Sequence, residues 1–169
     1  QEQALSKEAL LAESGVSLEH AVSLRTLAHI MAAEACHALQ DKAQRQHHLD
    51  QAMSEALKAP GSERQTLLEG TRMRAARWLL DDRDAAASLN ELEALPPAAG
   101  RRMVAMRLQL KAARLSGQPA KALETAALLA KHKAFSPAAA QSLLSRLVLE
   151  LIAHTHDTEA LQRTWQRLT

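Results

Sequence analysis

The chain is poor in cysteine, aromatic residues, glycine and proline. Its 169 residues include a single cysteine, so no disulfide can form within the chain, and this is compatible with a reducing compartment. Aromatic residues make up 2% of the sequence, without any tyrosine, whereas apolar residues reach 47%. Alanine, leucine and methionine must therefore fill the core, and this composition favours helices over strands.

Several functional classes are excluded by further absences. The five glycines are isolated along the sequence, so neither a phosphate-binding loop nor a dinucleotide-binding fingerprint can be formed. The formal net charge is only +2 with 24% charged residues, which does not fit a nucleic-acid-binding protein. No apolar run approaches 18 residues and no signal-peptide pattern is found. Because the chain begins "QEQALSK" without an initiator methionine, we expect it to be a piece of a longer protein.

The remaining pattern predicts an all-α fold. No segment alternates β-branched and aromatic residues with a period of two, and Gly and Pro fall between long Ala- and Leu-rich segments. Ser62 with Gln65 is a candidate capping box, and Ser136 before Pro137 is a candidate helix N-cap. Apolar residues recur at helical spacing from about Ala98 to Leu115 and across a broader face from about Pro137 to Ala153.

Four short polar turns divide the helical segments into similar pairs. They are "ALQDKAQ", "LLDDRDA", "LSGQPAK" and "HTHDTEA", and Gln40, Asp81, Gly117 and His156 serve as equivalent turn positions. Helix–turn–helix units that recur at 34 to 47 residues are typical of an α-solenoid. We therefore predict one domain over residues 1–169, a tetratricopeptide-like α-α superhelix, which is a right-handed solenoid of about nine helices.

The third unit comes closest to a tetratricopeptide repeat. Gly117 stands at its turn, small residues at Ala122 and Ala126 allow close helix packing, and Pro137 follows the second helix. The other units depart from this pattern, since Arg45 stands roughly where an alanine is expected. The segment from about Gln3 to Glu13 is interpreted as the second helix of an incomplete first unit.

The adjacent histidines His47 and His48 raise the question of a metal or haem site. Neighbouring residues on a helix point about 100° apart, so the two cannot both bind one metal without distortion. Cys36 and His37 lie across the turn and would approach His47 if the hairpin closes tightly. We favour a structural or solvated role for these histidines and a packing role for Cys36, and we predict neither a metal site nor a cofactor.

No catalytic signature is present. The carboxylates of "LDDRDA" lie in a turn that opens a helix, where Asp caps free N–H groups, and capping is favoured over catalysis. "HTH" at 154–156 is interpreted as a helix terminus. The basic residues Arg107, Lys111 and Arg114 form one stripe of an amphipathic helix, which is either a solvated face or a docking surface for an acidic peptide or anionic ligand.

Four segments resemble the soluble part of the bacterial HemY family, whose genes lie beside those of late haem synthesis. They are "LAHIMAAEACHALQDKAQRQHHLDQA", "RMRAARWLLDDRDAAASLNELEALPP", "MRLQLKAARLSGQPAKALE" and "TEALQRTWQRL". The resemblance implies two N-terminal membrane helices that precede this segment, and a tetratricopeptide-like domain on the cytoplasmic side of the bacterial inner membrane. It carries over no catalytic residue.

Two functions follow as hypotheses. The first is a non-catalytic scaffold associated with late haem or porphyrin biosynthesis, which binds a protein partner, such as a haem-pathway enzyme, through Arg107, Lys111 and Arg114. The second is direct binding of haem or a porphyrin by a histidine ligand with Arg or Lys on the propionates. Neither hypothesis involves nucleic acid or a catalytic activity.

Overall fold

The computed structural model describes residues 18–132, 136–155 and 158–168. Nine α-helices and no strand lie in these ranges, which confirms the all-α prediction. In chain order they are α1 (Leu18–Ala38), α2 (Lys42–Ala56), α3 (Gly61–Asp81), α4 (Ala85–Glu93), α5 (Pro97–Gly100), α6 (Met103–Leu115), α7 (Pro119–Ala130), α8 (Pro137–His154) and α9 (Thr158–Leu168). The helix expected at residues 3–13 and the turn residue His156 lie outside the described ranges.

The chain divides into two compact units. Unit 1 comprises residues 1–74 and contains α1, α2 and the first part of α3, whereas unit 2 comprises residues 75–169 and contains the end of α3 and all later helices. The single domain and the right-handed superhelix remain predictions.

Three helices end in the same hydrogen-bonded turn. Helices α1, α3 and α6 are each followed by a residue with positive φ, which is Gln40 (58°), Arg83 (65°) and Gly117 (68°). In the first of these turns, the N–H of Gln40 donates to the carbonyl of His37 and the N–H of Asp41 donates to that of Cys36. The turns after α3 and α6 repeat both bonds at the corresponding residues. This pair of bonds is the Schellman motif, and here it joins two helices with only three residues between them.

The predicted position of the second of these turns, Asp81, is wrong. Asp81 is the last residue of α3, and the left-handed residue that corresponds to Gln40 and Gly117 is Arg83. The turn position is set by backbone conformation, which the first polar residue after a helix does not reveal. Arginine has no preference for the left-handed region, so nothing in "DDRD" marked Arg83 as the turn residue.

The residue after each turn residue is the N-cap of the next helix. The carboxylates of Asp41 and Asp84 accept hydrogen bonds from the N–H groups of Gln44 (3.0 Å) and Ala87 (3.1 Å), whereas Gln118 at the same position makes no side-chain cap. The capping interpretation of "LDDRDA" is therefore confirmed for Asp84. Ser136 also caps as expected, since its hydroxyl accepts from the N–H of Ala139 at 3.2 Å.

Two helices begin at other residues than the sequence predicts, and one helix ends where it was expected to end. Helix α3 begins at Gly61, so Ser62 lies inside the first turn, and the side chain of Gln65 donates instead to Glu69 at 2.8 Å. The helix expected from about residue 98 is interrupted, because Arg102 has an extended backbone and α6 begins only at Met103. At the other end, α8 terminates at His154 as expected, with its Nδ1 2.7 Å from the carbonyl oxygen of Glu150.

The shared turn geometry fixes an equivalent register in the helices that follow. The fourth residue after each capping position is Arg45, Ser88 and Ala122, and its N–H donates to the carbonyl of that capping residue. These three side chains are 6%, 0% and 0% exposed. The expectation that Arg45 occupies the position of a small packing residue is confirmed.

The core of unit 2 is built from alanine and leucine on α3, α4, α6, α7 and α8. Small residues such as Ala112, Ala113 and Ala122 are completely buried, which lets the helices approach closely around Leu123 and Leu147. Each fully buried leucine contributes about 1.5–3 kcal/mol relative to an exposed one. In unit 1, α1 packs against α2. Cys36, which was predicted to be a small buried packing residue, is half-buried.

Candidate functional site

The three basic residues predicted to bind a partner lie together on one face of α6. Arg107, Lys111 and Arg114 are all exposed, and their spacing of four and three residues aligns them along the helix. With Leu110, Leu115 and Glu150 they line an open groove of about 560 Å³ in unit 2. The structure thus combines cationic side chains with an apolar surface, since Leu115 is 60% exposed.

Glu150 on α8 is part of this groove and was not anticipated from the sequence. Its carboxylate oxygens accept hydrogen bonds from Arg114, at 3.2 Å from Nε and 2.5 Å from Nη2. This bidentate pairing holds the guanidinium in one orientation and links α6 to α8. Because the two residues are 36 positions apart, only the packing of the two helices reveals the contact.

The groove keeps a positive charge despite this ion pair. Arg107 and Lys111 have no ion-pair partner in the part of the chain that the structure describes. Among the described residues that line the groove, three cations against one carboxylate give a formal charge of +2, next to exposed apolar surface. Such a surface attracts a ligand that carries carboxylates or another anion together with apolar groups.

A second groove in unit 2 is almost wholly apolar. It has a volume of about 350 Å³ and lies between α7, α8 and α9, and Trp165 and Ile152 remain 60% and 52% exposed. The other lining residues are Leu123, Val148, Leu151, Leu161 and Gln162. The broad apolar face expected on α8 therefore supplies both core residues, such as Leu147, and the wall of an open groove.

The histidines of unit 1 are arranged differently from the sequence expectation. The side chain of His37 contacts Arg45 and not His47: its Nδ1 lies 2.8 Å from Nη1 of the buried Arg45. Instead, His29 on α1 approaches His48 on α2, with 3.3 Å between the two Nδ1 atoms. The rings of His47 and His48 are 5.6 Å apart at 63° to each other, as expected for neighbours on a helix.

No group of three or more His, Cys, Asp or Glu residues suited to a metal ion is found among the described residues. The contact between His29 and His48 was not predicted from the sequence, although their positions relative to the turn are consistent with it. His29 stands about two turns before the end of α1 and His48 about two turns after the start of α2, so the hairpin brings them to a similar height.

Comparisons with protein-family models, curated proteins and solved structures found no match to this chain. None of the helices in the described ranges is long and apolar enough to cross a membrane.

Proposed function

We propose that this chain is a non-catalytic scaffold that binds a protein partner through the groove between α6 and α8. The observation that carries the proposal is the groove itself, in which Arg107, Lys111 and Arg114 surround the apolar side chains of Leu110 and Leu115. The favoured ligand is an acidic peptide segment with apolar residues, in a helical or extended form.

The energetics of such a surface support a weak, electrostatically steered interaction. The exposed cations raise the association rate and select an acidic partner, while burial of Leu115 and its neighbours contributes to the affinity. Burying about 100 Å² of apolar surface contributes roughly 2.5 kcal/mol before the cost of association is subtracted. Because salt screens the attraction between exposed charges, binding should weaken as the salt concentration rises.

We further propose that the hairpins belong to a tetratricopeptide-like superhelix and that the partners are enzymes of late haem or porphyrin biosynthesis. The repeated Schellman turn after α1, α3 and α6 supports the first point. The second point, together with the cytoplasmic side of the bacterial inner membrane as location and N-terminal membrane helices as anchor, rests on the resemblance to the HemY family.

Direct haem or porphyrin binding is the weaker proposal, because the described residues that line the two grooves above include no histidine that would serve as the axial ligand. A haem titration followed in the Soret region separates the two proposals. The scaffold proposal expects no stoichiometric shift of the Soret band.

The scaffold is tested with labelled peptides in a fluorescence-anisotropy titration. One peptide is a helix with glutamates alternating with leucines at helical spacing, and a second peptide has lysine in place of every glutamate. We expect the acidic peptide to bind more tightly than the basic one, with an affinity that falls as salt is added.

Charge reversal assigns the binding to the groove. The double variant Arg107→Glu/Lys111→Glu should weaken binding of the acidic peptide by on the order of tenfold or more, which corresponds to about 1.4 kcal/mol. The matched control is Arg77→Glu, which reverses an exposed arginine of unit 2 that does not line the groove. An equal loss in both variants, or no loss in either, contradicts the site assignment.

A further inference from the structure

Two histidines approach each other closely where α1 packs against α2 in unit 1. The Nδ1 atoms of His29 and His48 are 3.3 Å apart, and the ring centroids are 5.6 Å apart with 35° between the ring planes. Both side chains are half-buried. Two nitrogens of this kind share one hydrogen bond when one ring donates and the other accepts.

The same separation suits a metal ion. Zinc binds histidine nitrogen at about 2.0–2.1 Å in a tetrahedral arrangement, which places two such nitrogens roughly 3.3–3.4 Å from each other. The observed separation of 3.3 Å already matches that value, so the helices need not move. Small rotations of the two rings would direct both lone pairs at one point.

We propose that His29 and His48 form a two-histidine site for a borderline transition-metal ion such as Zn²⁺, which links α1 to α2 through the Nδ1 atom of each ring. Water completes the coordination. Imidazole is a common ligand of zinc, copper and nickel and a poor one for magnesium and calcium. The site should therefore prefer the first three ions to the last two.

Among the described residues, no third His, Cys, Asp or Glu accompanies the pair to complete a metal site. Cys36 lies seven residues beyond His29, which is about 10 Å along the helix axis and out of reach. His47 presents its ring to a different side of α2.

The proposed site goes beyond the scaffold function and is independent of it. The two histidines belong to unit 1, whereas the basic groove belongs to unit 2. An ion that binds only the folded hairpin raises its thermal stability in proportion to the logarithm of the ion concentration. Protons compete with the metal for the imidazole nitrogens, so binding weakens as the pH is lowered.

The first experiment uses tag-free, metal-stripped protein with ZnCl₂ as the probe, because a polyhistidine tag would bind the ion. Isothermal titration calorimetry should give one zinc site per chain, and the melting temperature should rise with zinc. His29→Ala and His48→Ala should each weaken binding by at least about tenfold, since even groups behind the ligands contribute 10- to 100-fold.

Two controls test the assignment. His47→Ala removes the adjacent exposed histidine, and Cys36→Ser removes the thiol, and both should bind zinc like the wild type. Circular dichroism of the metal-free variants establishes that α1 and α2 still form. Zinc binding that survives both His29→Ala and His48→Ala, or that is lost equally in His47→Ala, would overturn the site.

A measurement on the wild type removes any dependence on the variants. Long-range ¹H–¹⁵N correlation spectra of the imidazole groups report which ring nitrogen binds a metal. Zinc should shift the Nδ1 resonances of His29 and His48 together and leave their Nε2 resonances protonated. Shifts at other histidines only, or no shift at zinc concentrations well above that of the protein, would show that the pair is merely hydrogen-bonded.

Discussion

Arg45 and His37 face each other across the first helical hairpin, with 2.8 Å between Nη1 and Nδ1. A guanidinium can only donate, so Nδ1 of His37 must accept, and the proton of the neutral ring lies on Nε2. Arg45 is only 6% exposed, although Ser88 and Ala122 occupy the same register in the other two hairpins. The first hairpin thus accommodates a long cationic side chain where the others pack a small one.

Removing the Arg45 side chain should leave a void, whereas replacing it with an apolar chain of similar length should not. We expect Arg45→Ala to lower the free energy of unfolding by about 2–3 kcal/mol. Arg45→Met should cost less than about 1.5 kcal/mol, because it fills the same space and removes a buried charge. Urea denaturation followed by circular dichroism measures both, and equal losses would show that the charge, rather than the volume, stabilises the hairpin.

At the three turn positions with positive φ, introducing a glycine should stabilise the protein and removing one should destabilise it. Arg83→Gly and Gln40→Gly should each raise the free energy of unfolding by about 1 kcal/mol, because an L-residue with side chain is disfavoured at positive φ. Gly117→Ala should lower it by about 1–2 kcal/mol. Since a Cβ at Gly117 would meet nothing within 4 Å, this loss reflects the backbone conformation and not a clash.

The control for Gly117→Ala is a glycine inside a helix. Gly70 lies in α3, where an added Cβ would make an ordinary contact at 3.5 Å with the side chain of Arg74. Gly70→Ala should therefore stabilise the protein by about 0.5–1 kcal/mol. Thermal denaturation distinguishes the two substitutions, and the same sign of effect in both would contradict the turn geometry.

The three capping positions predict a stabilising substitution at the one that lacks a cap. Gln118→Asp should raise the free energy of unfolding by about 0.5–2 kcal/mol, since Asp41 and Asp84 already accept an N–H at the equivalent position. Asp84→Ala should lower it by a similar amount. Gln118→Ala is the matched control and should change little, and a gain there as large as that of Gln118→Asp would exclude a capping effect.

Local features of this chain were accessible from the sequence because they depend on residues close together. Helix type, the Ser136 and Asp84 caps and the turn at Gly117 each follow from a few neighbouring residues and their hydrogen bonds. The turn at Arg83 was misplaced because arginine has no preference for the left-handed region, so the residue type gave no sign of its positive φ.

Pairs between helices were not accessible in the same way. His29 with His48 and Arg114 with Glu150 are 19 and 36 residues apart, respectively. Which side chains meet depends on the rotation and axial shift of two helices, and amphipathic periodicity sets the rotation only to within a broad apolar stripe. The basic residues of α6 could be grouped from their spacing alone, but the carboxylate that pairs with Arg114 could not be predicted in this way.

The stability of unit 1 depends on pH through the carboxyl group of Glu55. The hydrogen bond from Lys58, followed by that from Arg25, holds the pKa of Glu55 below its ordinary value of 4.5. A carboxyl group with a depressed folded pKa stabilises the protein above its unfolded pKa, and this stabilisation is lost as the pH falls through the folded pKa. Glu55→Gln should therefore cost up to about 1 kcal/mol at neutral pH, since its cationic partners are exposed.

The difference between wild type and Glu55→Gln should vanish once the pH is well below 4.5, because the protonated acid and the amide are then similar. Urea denaturation at neutral and acidic pH measures this difference. Glu34→Gln, at an exposed carboxylate of α1, serves as the control and should be neutral at both values. A cost for Glu55→Gln that persists in acid would mean that the side chain acts through packing instead of charge.

The affinity of the acidic peptide for the Glu150→Gln variant tests the central claim most directly. Glu150 contributes the only carboxylate among the described residues that line the groove, and it pairs with the guanidinium of Arg114. If the groove binds an acidic partner, Glu150→Gln should tighten binding by about 2- to 10-fold, whereas Arg107→Glu/Lys111→Glu weakens it. Unchanged or weaker binding by Glu150→Gln, in a variant that keeps its helical circular dichroism, would contradict the account.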